Sequence, residues 1–182
     1  MQVGDGRRFY PFDPRPEEIH IEDIAGALSR ICRFGGHTRD FYSVAQHSVM
    51  VSQVCAPEDA LWGLLHDAAE AYIGDLPRPI KRHSSMMNYR LSEGYVMLAV
   101  TERFGLEPPD RWVHGMPESV HRADEILLAT EARDLMGNGN LPRWDSLTGI
   151  EPLPARIQAW GPDYTRLAFM YRFRELTGGT GK

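Results

Sequence analysis

Only two cysteines occur among the 182 residues, Cys32 and Cys55, and neither stands in a CxxC pair. Their apolar, helical surroundings suit buried thiols in a reducing compartment, not a disulfide framework. No run approaches the roughly 18 apolar residues that cross a bilayer, and the leading MQVGDGRRFYPF lacks the apolar segment of a secretory signal. These two absences predict a cytoplasmic protein without a membrane partner. Positive charge is also short: the net charge is −5 and the isoelectric point about 5.8. A protein that grips duplex nucleic acid through its overall field needs a basic surface to displace counterions, so that class is excluded. A small anionic ligand needs only local positive charge and stays open. Alternating strand patterns are scarce, and there is no internal repeat. GNGN at 137–140 follows a helix instead of joining a strand to one, so it reads as a helix-ending loop and not a phosphate-binding glycine turn.

What is present is helical periodicity. With 42% hydrophobic residues, the chain has enough apolar mass for one core and too little length for two domains. Residues 1–20, rich in Pro, Arg and aromatics, predict an extended N-terminal arm or short hairpin laid over a single helical domain at 21–182. Ile21, Ile24, Leu28 and Ile31 make one buried stripe ending near FGG. Ser43 caps VAQHSVMVSQV. Pro57 with Glu58 and Asp59 starts a third helix reaching about Ile73, stopped by Gly74 and LPRP. Further helices are predicted over Tyr89–Phe104, from Pro117 to Met136, and over YTRLAFMYRFREL. The expected fold is all-α, a compact bundle of five to seven helices, most of about 10 to 20 residues.

The third helix raises the chemical question. His66, Asp67 and Glu70 cluster on one side of it, yet Leu61, Leu64, Leu65, Ala68, Ala69 and Ala71 surround them. Buried ionisable groups cost several kcal/mol unless something pairs with them, and a divalent cation pairs with carboxylate and imidazole together. His47 interrupts another apolar helix, and Asp124 interrupts SVHRADEILLAT. Three helices that each carry ligand-type residues in apolar settings have coordination as their simplest common cause, although spacing alone does not show that they converge. Of the other histidines, His20, His83, His114 and His121 read as surface, capping or loop residues. His37, between flexible glycines and Arg39, is a candidate ligand contact.

The order His47, His66–Asp67, Asp124 is the H…HD…D pattern, and the chain resembles the HD-domain phosphohydrolases from about Ile21 to Met136. SVAQHS, LLHDAAEAYIGDLPRPIK and ADE look like the 5′-deoxynucleotidase branch, and are similar also to phage-type triphosphohydrolases of dATP and other deoxynucleoside triphosphates. The resemblance implies that residues 21–182 form an HD-type domain. It also implies that His47, His66, Asp67 and Asp124 hold one divalent ion, of the Mn, Co, Zn, Ni or Mg kind. Two imidazoles and two carboxylates would leave that dication roughly neutralised and able to acidify water. By the same resemblance Asp67 and Glu70 are the catalytic pair, with Glu70 orienting the attacking water or passing a proton. Asp75 matches a contact to the sugar hydroxyl, and Arg33 a phosphate-binding arginine. Phe34 stands where characterised nucleotidases carry a tryptophan that crowds the ribose 2′ position. Lys81, with Arg39, Arg78, Arg82 and His37, adds charge for phosphate oxygens.

The expected activity is metal-dependent hydrolysis of a deoxynucleotide, releasing phosphate from a monophosphate or tripolyphosphate from a triphosphate. Hydrolysis of guanosine polyphosphates, or a non-catalytic nucleotide sensor, is the alternative. The small-molecule substrate is the expected partner, along with copies of the chain itself in a dimer or hexamer.

Overall fold

Val44–Val54 (α2) is buried along most of its length, so its buried polar side chains have had to find partners. Ser43 caps it by accepting the Gln46 N–H at 3.2 Å. Gln46 donates to the Gln158 carbonyl and accepts the Trp160 N–H. Ser48 donates to the Val44 carbonyl, and the Ser52 hydroxyl accepts from Arg172. His47, fully buried at the middle of the helix, is taken up below.

The computed structural model describes residues 1–4, 6–106, 112–113, 115–136 and 147–179; His114 and the 137–140 loop lie outside them. The fold is all-α and built around α2. In chain order the other helices are α1 (Ile21–Leu28), α3 (Ala60–Leu65), α4 (Glu70–Ile73), α5 (Arg78–Lys81), α6 (Met87–Phe104), α7 (Glu118–Leu135) and α8 (Pro162–Leu176). α2 packs against α3, α7 and α8, while α1 packs against α4 and α8. Strand structure in the described residues is confined to two antiparallel ribbons, Gln2–Val3 with Arg7–Arg8 and Trp112–Val113 with Met116–Pro117. No helix among the described residues is long and apolar enough to cross a membrane.

The N-terminal arm forms the hairpin and continues into the body. Phe9 and Ile19 are fully buried, and Phe9 stacks on Tyr72 of α4 with ring centres 4.0 Å apart. The arm therefore contributes to the core it covers.

Two expectations need correction. The first helix stops at Leu28, short of FGG. The Ser29 hydroxyl and the Arg30 guanidinium both donate to the Gly26 carbonyl, taking the acceptor that the next helical turn would use. The third helix is not continuous from Pro57 to Ile73. It opens as a 3-10 turn at Pro57–Asp59, runs as α3, tightens through residues 66–69, and resumes as α4. Across this segment Glu70 and Tyr72 bond three residues back, to Asp67 and Ala69. The large apolar residues of α8 divide between two faces. Phe169 and Phe173 turn inward, the latter edge-on to Phe104 at 5.4 Å, whereas Tyr164, Leu167 and Tyr171 face out at 60 to 72% exposure.

Gly63 sets how closely α3 approaches α2. A Cβ there would stand 2.8 Å from the Cys55 sulfur and 3.0 Å from the Ser52 Cα. Because the second of these is backbone, Gly63→Ala is expected to destabilise the fold by about 1 to 3 kcal/mol. Urea unfolding measures this, and an unchanged midpoint would show that the helices separate at little cost.

Candidate functional site

Three elements bring the ligand-type residues to one point. On α2, His47 Nε2 lies 3.3 Å from His66 Nε2, 3.2 Å from Asp124 Oδ1 and 3.8 Å from Asp67 Oδ2. His66 Nε2 is 3.3 Å from Asp67 Oδ2. Donor atoms of His47, His66 and Asp67 all fall within 4.8 Å of one another, and Asp124, from α7, joins them through His47. Metal–ligand bonds of about 2.0 to 2.2 Å put neighbouring donors roughly 3 to 3.6 Å apart in tetrahedral or octahedral geometry. The donors of His47, His66 and Asp67 are close enough to hold a metal ion.

Each histidine is turned by its other nitrogen. The tightened segment after α3 lets His66 Nδ1 reach the Gly63 carbonyl at 2.8 Å. A carbonyl only accepts, so Nδ1 carries the proton and Nε2 keeps its lone pair for a ligand. His47 Nδ1 meets Glu131 Oε1 at 2.6 Å, with both side chains wholly buried. Glu131 also accepts from the Tyr42 hydroxyl at 2.9 Å and from Arg33 Nη2 at 3.3 Å.

Charge follows this layout. Burial and Arg33 press the His47 pKa down, but Glu131 and Asp124 outweigh them and raise it to about 9. Burial pushes Asp67 upward, yet His66, His47 and Arg33 together hold its carboxyl well below the usual range. Glu70 goes the other way. Its burial, reinforced by the Asp67 and Asp75 charges, raises its pKa well above normal against Lys81 and Arg33. Glu70 Oε1 is 3.4 Å from Lys81 Nζ, while Glu70 Oε2 is buried without a hydrogen-bond partner.

The chain is 40% identical over 179 residues to the uncharacterized protein YfdR of Escherichia coli (strain K12), an alignment spanning 97% of this chain and 95% of YfdR. The chain belongs to the YfdR family. The uncharacterized protein RCAP_rcc00048 of Rhodobacter capsulatus is 35% identical over 147 residues, 72% of this chain and 70% of that one. No protein-family model matches.

In this YfdR-family chain a cavity of about 670 Å³ opens over the cluster. Its lining includes His66, Asp67, Glu70 and Asp124, then Arg78, Lys81, Arg82 and Arg90. Burial pushes the Asp75 carboxyl up as well. Asp75 follows Gly74, whose φ of +82° suits glycine and whose carbonyl accepts from the Tyr89 hydroxyl at 2.6 Å.

Several sequence candidates stand elsewhere. Arg33 is buried, bonded to Asp67 at 3.3 Å and to Glu131, and does not line the cavity. Phe34 holds a left-handed φ of +56° beneath the Arg33 guanidinium, 5.3 Å from ring centre to Cζ. That conformation costs a non-glycine residue about 1 to 2 kcal/mol, and with Gly35 it throws the following loop outward. His37 and Arg39 are exposed outside the cavity, and the Arg39 guanidinium donates to the Asp134 carbonyl.

Four residues at the site were missed from sequence. Glu131 stands seven residues after Asp124, hence on the same face of α7, and that spacing was the available signal. Glu93 and Arg90 lie on α6, where nothing local marks them. His121 lines the cavity from the first turns of α7.

Proposed function

We propose that this chain is a metal-dependent phosphohydrolase of 2′-deoxynucleotides, of the HD-domain kind. In this reading it releases phosphate from monophosphates or tripolyphosphate from triphosphates. The observation that carries it is the His47, His66 and Asp67 group, which Asp124 joins through His47, with His66, Asp67, Asp124 and Glu70 lining one cavity. An ion of the Mn, Co, Zn, Ni or Mg type held by those four would supply Lewis acidity toward a phosphate oxygen and an acidified water.

The chain's own groups do the rest. Glu70 Oε2, buried and unpartnered, accepts a proton from the attacking water and returns it toward the leaving oxygen. Lys81 steadies a phosphate oxygen, and Asp75 takes a sugar hydroxyl. A sensor needs the ligands but not a buried acid with an uncommitted oxygen, so Glu70 favours catalysis. The proposal places the protein in the cytoplasm as a homo-oligomer, a reading supported by the outward stripe of Tyr164, Leu167 and Tyr171 on α8.

The test is a panel of deoxy- and ribonucleoside mono-, di- and triphosphates with each divalent ion, read for phosphate and tripolyphosphate. Neither product from any member would sink the proposal, as would full activity in metal-stripped protein. Glu70→Gln should keep the metal while turnover falls about 100- to 10,000-fold.

The same substitution should show the cost of the buried acid. Glu70 has a folded pKa above its unfolded one, so its stabilising protonation is complete below the ordinary carboxylate range and is lost as pH rises through the raised value. Metal-free Glu70→Gln should therefore melt higher than the parent at neutral pH and like it below about pH 4. Equal melting at both pH values would show that Glu70 carries no such burden.

A further inference from the structure

The cations around the cavity are unequally committed. Arg78 donates to Asp124 at 2.9 Å, and Lys81 is held by Glu93 at 2.6 Å and Glu70 at 3.4 Å. Arg90 differs from both: its Nη1 donates to the backbone carbonyls of Lys81 at 2.6 Å and His83 at 3.0 Å. Carbonyl oxygens fix the guanidinium in place without neutralising it. Arg82, exposed at the same wall, has no ion-pair partner among the described residues. Two arginines uncompensated by carboxylate thus share a cavity with His66, Asp67 and Asp124, and Lys81 lines it too. One phosphate needs only the cluster and Lys81. Guanidinium pairs recognise further phosphate oxygens by charge-assisted hydrogen bonds.

We propose that Arg82 and Arg90 form a second anion subsite, which takes the distal end of a condensed phosphate chain while the proximal phosphate meets the ligand cluster. The assignment rests on the hydrolase reading and selects the triphosphate within it. Water's oxygen forms the new bond to the α-phosphorus, the bond from phosphorus to the 5′ oxygen breaks, and that oxygen leaves protonated as the deoxynucleoside. Tripolyphosphate is released from the arginine side.

Titration calorimetry on the full chain in EDTA tests the subsite without turnover, with orthophosphate, tripolyphosphate, dAMP and dATP as probes. Tripolyphosphate should bind at least about tenfold tighter than orthophosphate, and dATP at least about tenfold tighter than dAMP, a difference of about 1.4 kcal/mol each. Arg82→Glu, on an exposed side chain, and Arg90→Gln should each erase the preference. Equal affinities, or a preference that survives Arg82→Glu, would overturn the subsite. Tight tripolyphosphate binding without a dATP preference would overturn its assignment to nucleotides and leave an inorganic chain as the ligand. A retained preference in a protein that hydrolyses no nucleotide would sink the hydrolase reading alone.

Discussion

Asp67→Ala should lower nucleotide hydrolysis by about a thousandfold or more and strip the protein of its divalent ion. The Asp67 carboxylate lies 3.3 Å from His66 Nε2 and 3.3 Å from Arg33 Nη1. Without it Arg33 remains against the two imidazoles, and the local charge turns against a dication. Global folding should survive, because this side chain is 20% exposed and Arg33, which loses one partner, keeps Glu131 at 3.3 Å. Elemental analysis of the purified variant and product release under saturating metal measure the two effects. A variant that keeps its ion and its turnover would remove Asp67 from the site.

Glu131→Ala should have the largest effect on stability, about 3 to 5 kcal/mol. That corresponds to a fall in melting temperature on the order of 10 °C for a chain of this length. Three buried donors converge on this one carboxylate: His47 Nδ1, the Tyr42 hydroxyl and Arg33 Nη2. Alanine leaves His47 Nδ1 and Arg33 Nη2 enclosed without an acceptor and Tyr42 with only the Met50 sulfur at 3.7 Å, while Arg33 keeps Asp67 as its remaining carboxylate. Glu131→Gln keeps an acceptor of the same shape and should lose much less. If calorimetric melting finds the two variants alike, the carboxylate charge is not what holds the group together.

How much of this was legible in the sequence depends on the range of the signal. His47, His66, Asp67, Glu70 and Asp124 each break an apolar helical pattern, so local periodicity exposed them, and the H…HD…D order tied them together. Glu131 obeys the same rule but sits in TEARD, where a charged residue reads as an ordinary solvated one. Its partners come from residues 33, 42 and 47, and no local pattern announces contacts across such separations. Arg33, His37 and Arg39, close together in sequence, are all candidate phosphate contacts. The left-handed turn at Phe34 and Gly35 instead sends Arg33 inward and the other two toward solvent. Arg90 and Glu93 became site residues only because α6 lies across the cavity. The break between α3 and α4 escaped notice for the opposite reason: the apolar pattern runs on unbroken while the hydrogen bonding tightens beneath it.

Gly63 occupies two roles at once. Its missing side chain permits the close seating of α3 on α2, and its carbonyl fixes the tautomer of His66. Helix spacing and ligand chemistry are thus inherited as a single trait. A change at Ser52 or Cys55 that shifts this seam by a few tenths of an ångström would reach His66 through that carbonyl. If the proposed ion is bound, its preference can therefore vary among descendants of this sequence through positions that never touch it, with His47, His66 and Asp67 kept.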